Sequence, residues 1–555
     1  MPKPRAPRKI FCRLLRSRQP LNEGGVTKGE EILKNNVTSL LLAVVLALVA
    51  VYCGGGSTAP THSPPPPSNL SITTAVLPGW MATFAYSQKI QASGGVAPFS
   101  WSISSGSLPH GITLGGSTTN SVIIAGVPDT PETAIFSVQV NDAASGSANQ
   151  SYVVTIGNLV SVQMQPVAGQ APAGVIEIQG LSAGAFNPAI WQENTLHWIP
   201  DVRIPMLAAQ TTGPNQNIYA PWPLEQPQGW RLFYGGWDGT NDFYDRVYSA
   251  TTPDFLSFNN RTLVIDHGAF QAVNNESVQQ LPDGSLHMIC TSLVDQNSND
   301  KLAYFSSPDG ITWNGTREPY SARLSDQVVI PNDPNYAGWD FNGGNVLLWD
   351  NNAWTLYYSV GVYGGIGQIY RAKSSAPPTF QNTGLALNTE HYSNDVKKFS
   401  VAGKNWYLMA LYVNANVPNP PTLSYSLSND GAQFGPEQEL FGGAFPQDQF
   451  VITPAFVTRG NQILGVLYGA DSTSLIQAQN GIFARWLQKK MVITDTTGAQ
   501  VGIQGGYGPD RQWIQAPSSG SLNANLSLYA EDGVTPLAKG AVNLSAGQAY
   551  MLVLQ

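Results

Sequence analysis

Ala269 to Trp313 reads AFQAVNNESVQQLPDGSLHMICTSLVDQNSNDKLAYFSSPDGITW. An alternating run at Glu276-Ser277-Val278 is followed by a turn at Asp283-Gly284 and a strand-like run from Leu286 to Cys290. After a polar loop come a third run from Lys301 to Phe305 and a Pro-Asp-Gly turn that closes on Trp313. Short alternating runs separated by Gly turns predict three or four antiparallel strands joined by tight hairpins.

The same anatomy recurs on both sides. Pro221 to Phe258 carries WRLFYGGWDG and then DRVYSATTPDFLSF, and Asp340 to Phe380 carries FNGGNVLLWDNNAWTLYYS and then QIYRAKSSAPPTF. Asn394 to Phe434 carries NDVKKFSVAGKNWYLMALY and then LSYSLSNDGAQF, while Asp448 to Ile493 is a degenerate fifth copy. The closing aromatics Phe258, Trp313, Phe380 and Phe434 lie 55, 67 and 54 residues apart. A strand-only unit repeated at this spacing predicts a five-bladed β-propeller. An ordinary sandwich, the alternative, has no need of a Gly turn, two strands, an Asp-Gly turn and an aromatic in one fixed order.

Outward from the repeats, 555 residues exceed one domain, and a composition 42% hydrophobic and 12% charged is that of globular units. Residues 1–52 read as a leader: a basic stretch precedes thirteen apolar residues, Leu40 to Tyr52. That run is short for a bilayer span, which needs about 20 residues, and suits the apolar core of an export signal. Cys53 follows it directly and resembles the lipidated Cys of a bacterial lipoprotein signal, although Tyr52 departs from the small residue usual there. The resemblance implies an exported chain anchored in a membrane by a lipid on Cys53; the alternative is an uncleaved N-terminal anchor. Residues 53–70, with Gly54-Gly55-Gly56-Ser57 and four consecutive prolines, form a spacer. Residues 1–52 hold nine of the 28 bases and three of the 36 acids, so a chain starting at Cys53 carries a net charge of −14. Such a surface repels nucleic acid. Cys290 has no partner for a disulfide or a Cys-based metal site and reads as core filler.

From 71 to 157, runs such as FSWSISSGSLPHGITL and AIFSVQVNDAASGSANQSYVVTI alternate as an antiparallel sandwich does. Their wording resembles the Ig-like domain common on bacterial surface proteins. The chain thus reads as all-β, an Ig-like β-sandwich followed by a five-bladed β-propeller. A connecting β segment is expected at 158–214, the propeller at 215–495, and a β-appendage or ring-closing strands at 496–555. No cofactor is expected. A structural calcium on Asp142 is weighed against a plain turn role, the commoner use of an Asp at a strand end.

In a propeller the inner strands converge on one axis. Alignment on the Gly turns brings Glu276, Gly343 and Asp395 to one inner position, with Ala220-Pro221 and Ile452-Thr453 in the outer copies and Asp340 just before it in the third. Acids from successive blades are what glycosidic cleavage requires: one to protonate the leaving oxygen, one to activate water or attack, and a third to tune them. Inter-blade hydrogen bonding or turn-capping is the structural alternative for each.

The stretches IYAPWPLEQPQGWRLFYGGWDG, NNESVQQLPDGSLHMI, SNDVKKFSVAGKNWYLM and SSPDGITW resemble, over about 215–490, the five-bladed propellers of the arabinanase, levansucrase and invertase superfamily of glycoside hydrolases. Ala220-Pro221 is similar to an Ala-Pro that precedes a blade strand there, and Asn275-Glu276-Ser277-Val278 to its Asp-Pro-Ser-Val. The resemblance implies Glu276 as the acid or tuning group. It leaves the base to Asp395, Asp340 or an acid of the Asp238–Asp245 loop, with Arg246 to orient a carboxylate or hold a hydroxyl. The family's first-blade acid is replaced by Ala220-Pro221, and its Glu-Gly-Pro proton-donor motif is absent. SSPDGITW is a residue short of a sialidase box, and no arginine cluster accompanies it.

Trp222, Trp237 and Trp339 flank the inner positions and are the candidate sugar platforms, whereas Trp230, Trp354 and Trp406 align on a middle strand as blade core. Two functions follow: an exported, surface-tethered glycoside hydrolase acting on a carbohydrate, or a non-catalytic surface propeller that binds glycans or protein partners.

Overall fold

A computed structural model describes residues 69–239, 245–295, 298–333, 344–360, 368–413, 421–472 and 480–555. Cys53, Trp339, Asp340 and Gly343 lie outside the described residues. The described residues are β throughout apart from isolated helical turns. They fall into two compact units, one ending at Gly157 and one running from Asn158 to Gln555.

The first unit is a sandwich of two four-stranded sheets. One orders Ser71–Ile72, Tyr86–Ser93, Ser121–Gly126 and Ile112–Leu114. The other orders Trp80–Met81, Ser147–Gly157, Glu132–Asn141 and Ser100–Gly106. Strict alternation sends Phe136, Val138, Tyr152, Val154 and Ile156 inward against Tyr86, Ile90, Val122 and Ile124. Asp142 accepts N–H bonds from Val96 at 2.9 Å, Ala144 at 3.0 Å and Gly146 at 2.6 Å. Both its oxygens are therefore committed to a turn, the plainer of its two readings.

In the second unit five sheets form the propeller. The blades begin with inner strands Pro214–Gln226, Ala272–Gln280, Asn345–Asp350, Tyr392–Val401 and Phe450–Arg459. Each inner strand packs against the next, and the first packs against the fifth. The closing aromatics Trp313, Phe380 and Phe434 are buried, as are Trp230 and Trp354. The second blade departs from the four-stranded pattern, with three paired strands, Ala272–Gln280, Leu286–Leu293 and Lys301–Ser307. Trp313 packs edge-on to Phe233 of the first blade, and the chain beyond it pairs Tyr320–Ser321 with that blade's outer strand. The outer edge of its third strand is met instead by Gln327, bridged to Ala303, and by Val328, whose N–H donates to Leu302 O at 2.8 Å.

The ring is closed from the N-terminal side, by Trp198–Pro200 as the outer strand of the fifth blade. Asp201 fixes the closure. Its carboxylate accepts from the backbone and guanidinium of Arg203, from Trp486 Nε1 at 2.8 Å and from Gly508 N at 3.1 Å. The C-terminal strands do not close the ring. Val162–Gln170 and Val175–Gln179 join Ile503–Gly506, Arg511–Gln515 and Gln548–Leu554 in one sheet, which faces a second sheet of Lys490–Asp495, Ser521–Tyr529 and Pro536–Ser545. Ile176, Ile178, Ile514, Leu526 and Leu544 fill the space between them.

Candidate functional site

The inner strands carry a shared irregularity that sets the site. Pairing slips between Tyr219 and Trp222, between Asn274 and Ser277, and between Ile452 and Ala455. The first residue inside each slip is left-handed: Ala220 at φ 50°, Asn275 at 51° and Thr453 at 48°. Each is a β-bulge, one extra residue that kinks the strand and re-aims the side chain after it. In the fourth blade the slip falls between Ser393 and Asp395. Ser277 lies opposite Ile289 and Asp395 opposite Ala410, each one residue before the Val278–Met288 and Val396–Met409 pairs. Asp395 is therefore the counterpart of Ser277, while Glu276 corresponds to Asn394, Pro221 and Pro454. The expectation that Glu276 and Asp395 share one position is off by one residue, because a bulge shifts structural register without marking the repeat.

Asp395 serves the joint between blades. Fully buried, it accepts the N–H of Phe456 in the fifth blade at 2.8 Å. Ser277 likewise accepts Leu347 N of the third blade at 3.0 Å. Lys397 Nζ lies 3.1 Å from the other oxygen of Asp395. Burial pushes the Asp395 carboxyl up, while Lys397 and the Phe456 N–H oppose it. Lys397 also sits over the Trp222 ring at 4.4 Å, and Trp222 Nε1 donates to Val278 O at 2.8 Å. With 1% exposure and a cation over its ring, Trp222 is blade core and not the sugar platform expected of it.

A different set gathers around Glu276. Asp245, which opens the third strand of the first blade, is buried and takes two donors on Oδ2: the Tyr219 hydroxyl, and Asn274 Nδ2 at 2.8 Å. Asn274 Nδ2 also donates to the Tyr219 oxygen at 3.0 Å. Glu276 is 3% exposed, and neither carboxylate oxygen has a hydrogen-bond partner among the described residues. Its counterpart Asn394, by contrast, donates to Pro454 O at 3.1 Å. Burial pushes the Glu276 carboxyl well above the ordinary carboxylate range, and the charge of Asp245 adds to the push against its own backbone N–H. Trp237 is buried across the strand pair from Asp245, and its indole N–H has no acceptor among the described residues. Arg246 donates to Asp266 at 2.7 Å and lies 3.4 Å from Asp238, whose side chain is 47% exposed. It is thus bracketed by two acids at the rim.

The structure therefore brings Asp245 near Glu276 and opposite Trp237, and assigns Asp395 and Trp222 to the joints between blades. Tyr219 and Asn274 were missed. Their signal was positional: each precedes a bulge residue in the YAP and NNE stretches. Among the described residues no group of three or more His, Cys, Asp or Glu could hold a metal.

The raised acid has a stability consequence. An acid held neutral in the fold costs stability as pH climbs above its unfolded value of 4.5, because only the unfolded chain releases the proton. Glu276→Gln should gain on the wild type by about 1.4 kcal/mol per pH unit from there until the folded group itself ionises, and show no such gain below it. Denaturant unfolding at a series of pH values reads the slope.

Residues 58–157 match the family described as "Putative Ig domain". No curated protein matches the chain. Among solved structures, the catalytic domain of a Coprinopsis cinerea α-L-arabinofuranosidase of glycoside hydrolase family 62 is similar at 14% identity and a TM-score of 0.38, covering 53% of this chain and 97% of its own. A Bombyx mori β-fructofuranosidase of family 32 is similar at 10% identity and 0.38, covering 63% and 92%. An α-L-arabinofuranosidase from Lactobacillus brevis is similar at 9% identity and 0.38, covering 53% and 94%. Likenesses of this size add nothing to the strand pairing above and assign no activity.

Proposed function

We propose that the propeller is an exported glycosidase, with Glu276 and Asp245 as its acid/base pair. The observation that carries the reading is Glu276: a buried carboxyl with no hydrogen-bond partner among the described residues, whose protonated form burial favours, near a second carboxyl that has two donors. A carboxyl whose protonated form is favoured, near a second one held by hydrogen-bond donors, is a pattern acid/base catalysis uses. Glu276 would protonate a glycosidic oxygen, and Asp245 would take a proton from water or attack the sugar carbon. Asp340 stays a third candidate outside the described residues. The test is turnover by the full chain on arabinan, xylan, fructan and aryl furanosides, followed by isosteric replacement of both acids.

A second reading, a propeller that binds glycans or a protein partner without cleaving, is favoured by one observation: Asp395 is consumed by the joint between blades. Glycan binding without turnover, unchanged by Glu276→Gln, would establish it.

The surface tether is part of the proposal. No helix among the described residues is long and apolar enough to cross a membrane; an anchor on Cys53 is supported by the apolar run before it and the spacer after it. Cys53→Ala should block processing or release the protein from the membrane fraction. Unchanged, lipid-free retention would show an uncleaved anchor instead.

A further inference from the structure

We infer that Tyr219 and Asn274 are positioning residues that bring Asp245, carried on the third strand of the first blade, to the inner-strand position where that blade has no acid of its own. The inference rests on the glycosidase reading for its catalytic consequence and on geometry for the clamp itself. Tyr219 and Asn274 are structural counterparts in adjacent blades, each just before a left-handed bulge residue and opposite Gly235 and Thr291 respectively. Both aim donors at one atom, Asp245 Oδ2, and they are bonded to each other at 3.0 Å. A carboxylate oxygen fixed by two buried donors has one rotamer and one direction. Ala220-Pro221 supplies no acid, so the first blade delivers one from its third strand, through side chains of two inner strands.

Among the described residues, the charged and titratable groups near Asp245 include Glu276 on the second blade's inner strand, Asp238 on the adjacent strand, and Arg246 and Tyr248 on its own. Arg246 engages Asp238 and Asp266. The clamp donors are thus the groups seen to hold Asp245 Oδ2, and donors to the ionised form favour ionisation.

The experiment uses the full chain with Tyr219→Phe and Asn274→Ala, each checked for wild-type circular dichroism. Carbon-13-aspartate infrared titration reads the carboxylates without any substrate, and the pH profile of kcat/KM on whichever aryl glycoside is cleaved reads catalysis. In Tyr219→Phe one aspartate band, absent from Asp245→Asn, is expected to titrate at higher pH than in wild type. The acid limb of kcat/KM is expected to move with it, lowering kcat/KM about tenfold on that limb for a shift of one pH unit, while the alkaline limb stays in place. Asn274→Ala is expected to move both in the same direction. A purely structural role would lower the melting temperature and leave both profiles unmoved, which would overturn the inference. If the band moves but the wild type cleaves no glycoside, the glycosidase reading falls and the clamp stands; an unmoved band overturns the clamp whatever the activity.

Discussion

Glu276→Gln should lower turnover of unactivated glycosides by about 10²- to 10⁴-fold, the usual worth of a general acid. The amide keeps the shape of the carboxyl, and Glu276 gives up no hydrogen bond to any described residue, so the blade should fold as before. Leaving-group dependence supplies the diagnostic. An aryl furanoside with an acidic phenol needs little protonation, so the loss on it should be far smaller than on a polysaccharide. Asp245→Asn should cost a similar factor on both substrates, since the group that activates water or attacks is needed whatever leaves. Equal losses across leaving groups for Glu276→Gln would assign Glu276 a tuning role in place of proton donation.

Asp395→Ala should behave in the opposite way, with a large loss of stability. The change strands Lys397, whose side chain is only 15% exposed, and leaves the Phe456 N–H of the fifth blade without its acceptor. Breaking a buried pair by removing one partner typically costs about 3–5 kcal/mol. Ser277→Ala removes the matching acceptor for Leu347 N and should cost about 1–3 kcal/mol, less because no charge is stranded. Denaturant midpoints of the two variants test the assignment. An Asp395→Asn protein of wild-type stability but no turnover would return Asp395 to the catalytic set.

Strand content and repeat order were legible because each blade repeats a Gly turn, an aromatic middle strand and a closing aromatic, and burial follows that pattern at Trp230, Trp354, Trp313 and Phe380. Glu276 was legible as an acid in the only copy with a carboxylate after two asparagines. The register was not. A bulge adds a residue that no spacing rule reveals, so Asp395 aligned with Glu276 on paper while it pairs as Ser277 does. Asp245 was visible only as one acid of a loop, because what brings it inward is a hydroxyl and an amide from strands distant in sequence. Trp222 read as a sugar platform from its place beside an inner position, yet its Nε1 bond to Val278 O turns it into the blade joint.

The central claim is that burial favours the protonated form of Glu276, near the hydrogen-bonded carboxyl of Asp245. Infrared difference spectroscopy of carbon-13-glutamate-labelled protein at pH 7, wild type against Glu276→Gln, addresses it directly. The account predicts a protonated-carboxyl band in the wild type that is lost in the variant; a wild type with only carboxylate bands at that pH would contradict it.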